Sequence, residues 1–228
     1  MHLPFRSLAG LGLALGLLAP LPVSAGQDAF EVMLGGSRLG RIIHAVSGGT
    51  RDLTLLLDST PLGVFDGSYA GRTVTSGALA RHSGRTRSTR KSRDLTMTTE
   101  GGRLREVSLA PQEERTSFTA VSAVSGPVND PVSAFGQLME VNGCPTDLRI
   151  YDGRRIGLLD TQEERHDAGR ITCRASYRVI DGPGYLEPLG ISKLSVELHY
   201  DATAATWQLR QIDARSGPFV LSLAEKEG

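Results

Sequence analysis

Several residue types and patterns that would indicate a function are scarce or absent in this chain. Only two of its 228 residues are cysteine, aromatic residues make up 5%, and 25 basic residues are balanced by 25 acidic ones. Because the net charge is zero, no global field attracts nucleic acid or an anionic membrane, and any anion must bind locally. G-x-S-x-G, phosphate-loop and H-E-x-x-H motifs are absent, so we predict no catalytic residue, cofactor or metal site. The histidines beyond the first 25 residues fall in separate predicted elements: His44, His82, His166 and His199.

A long apolar run is also missing, except near the start of the chain. There, one basic residue precedes an uncharged run from Leu8 to about Leu21, and small residues end the segment at Ala25. A membrane-spanning helix needs ~20 apolar residues, whereas this run is shorter and is interrupted by glycine and proline. We therefore expect residues 1–25 to be a signal peptide cleaved after Ala25. Residues 26–228 then form a single all-β domain in the periplasm, with no membrane span.

The two cysteines, Cys144 and Cys173, both lie in the part of the chain predicted to be exported. In an oxidising compartment, an even pair of cysteines indicates a disulfide. The alternatives are a reactive thiol or half of a metal site, but neither cysteine has a second cysteine at a short ligand spacing.

Apolar residues recur mostly at every second position, which is the spacing of half-buried β-strands. In "ISKLSVELHY" the apolar residues from Leu194 to Tyr200 share one face, and in "ITCRASYRVI" Cys173 shares a face with Ile171 and Ala175. Short polar turns join neighbouring segments, so consecutive strands run antiparallel. Further strands are predicted in AFEVML, RLGRIIHAV, RDLTLLLDS, YAGRTVTSGALA, DLTMTT, RLREVSLA, TSFTAVSAV, TWQLRQID and PFVLSLA.

Two segments interrupt this pattern. In "NDPVSAFGQLMEV", Asp130 is a helix N-cap and Pro131 occupies the first helical position, followed by apolar residues on one face. Residues 58–68 are predicted to hold a shorter helical turn bearing Leu62, Val64 and Phe65. The predicted fold is therefore mainly β: a single curved antiparallel sheet or open half-barrel, with one or two short helices packed against it.

A basic run is the first candidate site. No acidic residue occurs between Gly67 and Arg93. One interpretation is an anion-binding site, because the arginine side chain matches phosphate oxygens. The other is a solvated hairpin tip that protects an edge strand, with its charges paired to the glutamates that follow. No aromatic residue lies in the basic part, so nucleic acid is not expected to stack there. The candidate residues are Arg81, Arg85, Arg87, Arg90, Lys91 and Arg93.

The second candidate is "CPTDLRIYDGRRIGLLD", residues 144–160. Asp152-Gly153 between alternating segments predicts a two-residue type I′ hairpin turn. Arg154 and Arg155 would then begin the return strand, with at least one of them facing solvent. A carboxylate–arginine site is the alternative, but Asp152 in an exposed turn would be poorly desolvated for acid–base chemistry.

Ordered motifs along the chain resemble a known family. These are FEVMLGGSRLGRI, STPLGVFDGSY, RKSRDLTM, NDPVSAFGQLM, CPTDLRIYDGRRIGLLD and CRASYRVIDG. In this order they resemble the exported bacterial proteins of domain-of-unknown-function family 3108. The chain departs from that pattern in RHSGRTRSTRKSR and after Asp181. The resemblance implies an exported antiparallel β protein without an established activity, and it supplies no catalytic residues. A more distant similarity to the open β-barrels of lipoprotein carriers implies an apolar ligand cavity.

Three functions remain open from the sequence. The first is a non-catalytic binding or carrier module for an apolar or anionic envelope ligand such as a lipid, held in a concave site. The second is a structural or assembly factor that contacts an envelope protein through the basic hairpin or an unpaired sheet edge. The least favoured is a hydrolase, because no residue pair is marked by its spacing. A filled interior favours the assembly role over the carrier.

Overall fold

The computed structural model describes residues 26–60, 66–89, 91–183 and 193–226, and it shows a mainly β protein. The predicted signal peptide at residues 1–25 lies outside the described residues. The strands are β1 Gly26–Leu34, β2 Ser37–Ser47, β3 Thr50–Leu57, β4 Gly67–Ser76, β5 Leu79–Ser88, β6 Ser92–Glu100, β7 Arg103–Ala110, β8 Glu140–Val141, β9 Leu148–Tyr151, β10 Ile156–Asp167, β11 Arg170–Asp181, β12 Lys193–Ala202, β13 Trp207–Ser216 and β14 Phe219–Glu225. One α-helix, α1, spans Pro131–Met139.

Thirteen strands form one antiparallel sheet that does not close, in the order β7-β6-β5-β4-β3-β2-β1-β14-β13-β12-β11-β10-β9. The short β8 pairs with β13 beside this path. Most neighbouring strands are consecutive in the chain and form hairpins, as the short polar turns predict. The exception is at the centre, where the first strand pairs with the last and Phe30 lies opposite Glu225. The predicted curved antiparallel sheet is confirmed.

Side-chain alternation places the core on the concave face of the sheet. Along β12 the inward residues Val196, Leu198 and Tyr200 are buried, and on β11 Ile171 and Cys173 are buried beside them. Burial of each large apolar side chain contributes roughly 1.5–3 kcal/mol to folding. In β11 and β12, the two-residue period of the sequence therefore identifies both the strand and its inward face.

Helix α1 lies in the concavity, as the Asp130-Pro131 signal predicts. It contacts β3 and β4 on one half of the sheet, and β8, β9 and β13 on the other. A cross-strand glycine pair gives it room, since Gly71 lies directly opposite Gly84. A Cβ atom on Gly71 would lie 2.7 Å from the Cγ2 atom of Val132. The interior between the two halves is therefore occupied by the side chains of the helix.

A separate segment spans the gap between the edge strands β7 and β9. Val128 donates a backbone hydrogen bond to Gly102 next to β7, while Asn129 exchanges backbone hydrogen bonds with Arg149 and Tyr151 of β9. A second core cluster fills the space beneath, formed by Leu95, Met97, Leu104, Leu109, Val128, Tyr151 and Ile156. Residues 127–129 thus cover part of both sheet edges.

One predicted strand continued through a turn, and another was wrong. The segment 69–80 contains the turn between β4 and β5, where Gly77 has a φ of +59°. The segment 116–124 forms turns and a 3₁₀ helix, Val121–Ala123. There, the hydroxyls of Thr119 and Thr116 accept the backbone N–H groups of Thr116 and Phe118, and such local bonds compete with strand pairing. The same two hydroxyls donate to the carbonyls of the 152–155 loop. The second predicted helical turn, with Leu62, Val64 and Phe65, lies outside the described residues. No helix in the described part of the chain has the length and apolarity to cross a membrane.

Candidate functional site

The basic run is divided between the two faces of the sheet. Most of it forms β5, an interior strand, and not a hairpin tip beside an edge. Since successive residues of a strand point to opposite faces, Arg81, Arg85 and Arg87 lie on the outer face, opposite to that of the buried His82 and Gly84. Arg93 shares the parity of the buried residues of β6 and points inward. Arg90 lies outside the described residues.

On the outer face, one carboxylate forms ion pairs with two of these arginines. Asp94 of β6 lies directly opposite Arg85, and its Oδ1 atom is 3.4 Å from Arg85 Nε and 2.8 Å from Arg87 Nη2. The hydrogen bond from Arg87 and the two positive charges lower the pKa of Asp94. All three side chains are substantially exposed, so these ion pairs contribute little to stability.

On the inner side, three cations surround one carboxylate, and we name these four residues the Glu114 cluster. Arg93 Nη2 lies 2.6 Å from Glu114 Oε2, Arg154 Nη1 lies 3.2 Å from the same oxygen, and Lys91 Nζ lies 3.9 Å from Oε1. Glu114 and Arg154 are 13% exposed and Arg93 is 20% exposed. Burial opposes ionisation of Glu114, but the hydrogen bond from Arg93 and the surrounding charges outweigh it, so its pKa is lowered.

The Glu114 cluster has more donors than acceptors. Among the described residues, one negative charge faces three positive charges, and those of Arg93 and Arg154 are mostly buried, where charges interact more strongly than in water. The Nε atoms of Arg93 and Arg154 are buried and have no hydrogen-bond acceptor among the described residues. A buried donor without an acceptor is costly. An anion with several oxygens has the chemistry to satisfy these donors and to balance the charge.

Arg154 joins this cluster because of the shape of the 152–155 loop. The predicted hairpin of β9 and β10 is confirmed, but the two-residue type I′ turn was wrong. Tyr151 pairs with Ile156, and the four intervening residues form a loop in which the Asp152 carboxylate accepts the backbone N–H groups of Arg154 and Arg155. Arg155 is buried and its Nε lies 3.2 Å from Asp152 Oδ2, while Arg154 is mostly buried. Neither arginine begins the return strand or extends freely into solvent.

The predicted disulfide joins Cys144 to Cys173. It tethers the segment before β9 to the inward face of β11, in the main core. Next to it, the Cys144 N–H donates to the carboxylate of Glu164, which lies opposite Cys173 on β10. The disulfide therefore fixes the segment that leads from α1 into the β9–β10 hairpin.

A second polar group lies inside the sheet at the start of α1. Asp130 Oδ1 accepts a hydrogen bond from Thr73 and lies 3.1 Å from His82 Nδ1, although the sequence offered no spacing that would link these residues. A His–Asp pair is used for acid–base catalysis, but here the other ring nitrogen of His82 faces the Tyr69 hydroxyl in the interior. Burial and the Asp130 charge raise the pKa of Tyr69. Asp130 also caps α1, so this group attaches the helix to β4 and β5.

The remaining histidines occupy three different environments. His44 is buried against Phe135, with its Nδ1 atom 3.7 Å from Asp28, and burial lowers its pKa. His166 is exposed and pairs with Glu164. His199 lies on the outer face near two carboxylates, the one group of histidine, cysteine and acidic residues in the described chain whose geometry could hold a metal ion.

Comparison with known proteins adds no relative to this description. No protein-family model, no curated protein and no solved structure matches the chain.

Proposed function

We propose that the protein is a non-catalytic binding module of the periplasm, and that the Glu114 cluster holds a phosphate group of an envelope ligand. The observation that carries this proposal is the surplus of buried arginine donors around a single carboxylate. Export of the protein and its membership of domain-of-unknown-function family 3108 belong to the same proposal and rest on the sequence motifs.

The position of α1 favours an anionic ligand over an apolar one. Its side chains Val132, Leu138 and Met139 are buried in the concavity and pack with strands of both halves of the sheet. A lipid chain in that space would have to displace the helix and break its attachment through Asp130. Two cavities formed by the described residues measure about 210 and 320 Å³, and polar side chains line much of the first. We therefore do not favour the apolar-carrier hypothesis.

The assembly hypothesis has support in the filled interior but less at the sheet edges. A partner strand adds to a sheet through unpaired backbone groups. Residues 127–129 already bond to β9 and to Gly102 beside β7, and Arg115 Nε donates to the Leu109 carbonyl of β7. Parts of both edges are thus engaged within the chain. The Glu114 cluster is therefore a better candidate binding site than either edge of the sheet.

Binding of inorganic phosphate to the purified protein, measured by calorimetry at low and high salt, tests the proposal. Co-sedimentation with phosphatidylglycerol vesicles, compared with phosphatidylcholine vesicles, distinguishes a lipid headgroup from a free phosphate. We expect salt-sensitive binding that Arg154→Gln weakens by about tenfold or more, since a hydrogen bond to a charged group contributes ~1.5–3 kcal/mol. The matched control is Arg105→Gln, which removes an exposed arginine paired with Glu100 and should leave binding unchanged.

Glu114→Gln gives the sharper result. If the cluster binds an anion, removing the competing carboxylate tightens phosphate binding while it lowers stability. If the cluster is only a structural ion-pair network, this variant loses stability without any gain in binding. Equal losses in Arg154→Gln and Arg105→Gln, or no phosphate binding at all, would refute the proposed function.

A further inference from the structure

We propose that Glu197, His199 and Asp213, on the outer face of β12 and β13, form a binding site for a divalent transition metal ion of the zinc class. One potential ligand atom from each of the three residues lies within 4.8 Å of the other two. Imidazole nitrogen and carboxylate oxygen are ligands that zinc accepts. This inference does not depend on the Glu114 cluster or on phosphate binding.

The sheet places the three side chains on one face. Glu197 lies directly opposite Asp213, and His199 lies two residues further along β12, on the same side. Two like charges directly opposite each other destabilise an antiparallel pair. The register shifts beside His199, between it and Tyr200, and such bulges redirect side chains near functional sites. A cation between the carboxylates would relieve the repulsion created by the pairing.

In Asp213 and His199, neighbouring residues hold one ligand atom and leave another facing the site. Asp213 Oδ1 accepts hydrogen bonds from Ser222 and Gln211, whereas no hydrogen bond to its Oδ2 atom is found among the described residues. The Asp213 side chain is nine-tenths buried, with 10% exposed. In the same way, the Thr172 hydroxyl lies 3.4 Å from His199 Nδ1, which leaves Nε2 toward Asp213. Such outer contacts orient metal ligands and fix the histidine tautomer.

The separation of two of these atoms suits a shared metal ion. His199 Nε2 and Asp213 Oδ2 are 3.6 Å apart, which is too long for a direct hydrogen bond. Two ligands about 2.1 Å from one zinc ion at tetrahedral angles lie about 3.4 Å apart.

Two arginines are the competing partners of Glu197. Arg174 Nε donates to Glu197 Oε1 at 3.2 Å, and Arg215 lies 3.9 Å from Oε2. Arg174 is also bonded to Glu163 on β10, so Glu163 can retain it when Glu197 turns toward a metal ion. The Oε2 atom of Glu197 would then be the third ligand atom, and a water molecule would occupy the fourth coordination position.

Titration of the chelator-treated, purified protein with Zn²⁺, followed by calorimetry, tests this site. We expect one equivalent to bind, and His199→Gln to remove that binding. Because His199 is one-third exposed, this variant should still fold, and circular dichroism of the metal-free protein checks that it does. Ser222→Ala removes one of the two hydrogen bonds that orient the Asp213 carboxylate, and it should weaken binding by about tenfold or more. Bound Co²⁺ should give a visible absorption band that one equivalent of Zn²⁺ removes.

The matched control is His166→Gln, since His166 forms an exposed pair with Glu164. It should bind Zn²⁺ as the wild type does. The inference is overturned if the folded wild type binds no stoichiometric Zn²⁺, because His199 then serves only as a neighbour of the Asp213 carboxylate. It is also overturned if His166→Gln and His199→Gln reduce binding equally.

Discussion

The most informative perturbation of this fold is the removal of charge from Asp130. Its carboxylate accepts four hydrogen bonds, from the Val132 and Ser133 backbone, the Ser133 hydroxyl and the Thr73 hydroxyl, and it faces His82. No other part of α1 has so many polar contacts in the described chain. The variants Asp130→Asn and Asp130→Ala separate the contribution of the charge from that of the cap.

The magnitude follows from the pKa of Asp130. Burial opposes ionisation, but the hydrogen bond and charge of His82, with the bonds from Ser133, outweigh it and lower the pKa from 3.8 to about 2. The difference corresponds to about 2 kcal/mol of folding free energy. Because the folded-state pKa is depressed, this stability is complete above pH 3.8 and is lost as the pH falls toward 2. Asp130→Asn should therefore cost about 2 kcal/mol at pH 5, and Asp130→Ala about 3–5 kcal/mol, since it also removes the cap.

Urea unfolding from pH 2 to pH 6 measures this effect. The stability difference between the wild type and Asp130→Asn should shrink from about 2 kcal/mol at pH 5 toward zero near pH 2. The control is Asp52→Asn, because Asp52 pairs with Arg72 on the surface and should contribute under about 1 kcal/mol. A difference that stays constant with pH, or an Asp130→Asn variant as stable as the wild type, would refute the reasoning.

Three further predictions concern stability and can be measured by chemical unfolding. Cys144→Ser should lower the free energy of unfolding by ~3–4 kcal/mol, because it opens the 29-residue span to Cys173, and the wild type in reductant should match it. Tyr200→Phe should be neutral or stabilising by about 1 kcal/mol, since the buried Tyr200 hydroxyl has no hydrogen-bond partner among the described residues. Tyr151→Phe should instead cost about 1 kcal/mol, because it removes a hydrogen bond to a backbone carbonyl. An opposite order of the two tyrosine variants would contradict this. Gly40→Ala should cost about 1–3 kcal/mol or more, because its Cβ atom would lie 1.9 Å from a carbonyl oxygen of β3; a silent substitution would show that the strands separate there without penalty.

The strands and the helix could be predicted because their signals are local. Alternation along β11 and β12 reports which face is buried, and Asp130-Pro131 marks a helix start whatever surrounds it. The segment 116–124 shows the limit of this reasoning. Its alternation is typical of a strand, but its threonine hydroxyls bond to a loop about 35 residues away in the sequence, and no local pattern reports that competition.

The candidate sites were harder to predict because they are assembled across the sheet. The basic run was visible in the sequence, but alternation along β5 and β6 separates Arg85 from Arg93, and Arg154 enters from the opposite edge of the sheet. Glu197 and His199 share a face of β12, which alternation does show. Asp213 joins them only through the register of β12 with β13, which depends on the turn between those strands.

Because β1 pairs with β14, the first and last strands of the described chain lie side by side in the middle of the sheet, and β7 and β9 form its edges. During synthesis, β1 to β7 can form hairpins in turn, but the free side of β1 remains an open edge until the last strand has been made, and open edges promote aggregation. The Lys226 N–H donates to the Ala29 carbonyl, so the ends of the described sheet lie together. A circular permutant could join these ends and open the chain between β7 and α1. Its strands would then follow the spatial order of the sheet, from β9 to β14 and then from β1 to β7. Each of those strands would then pair only with its neighbours in sequence, which lowers the contact order of the same sheet.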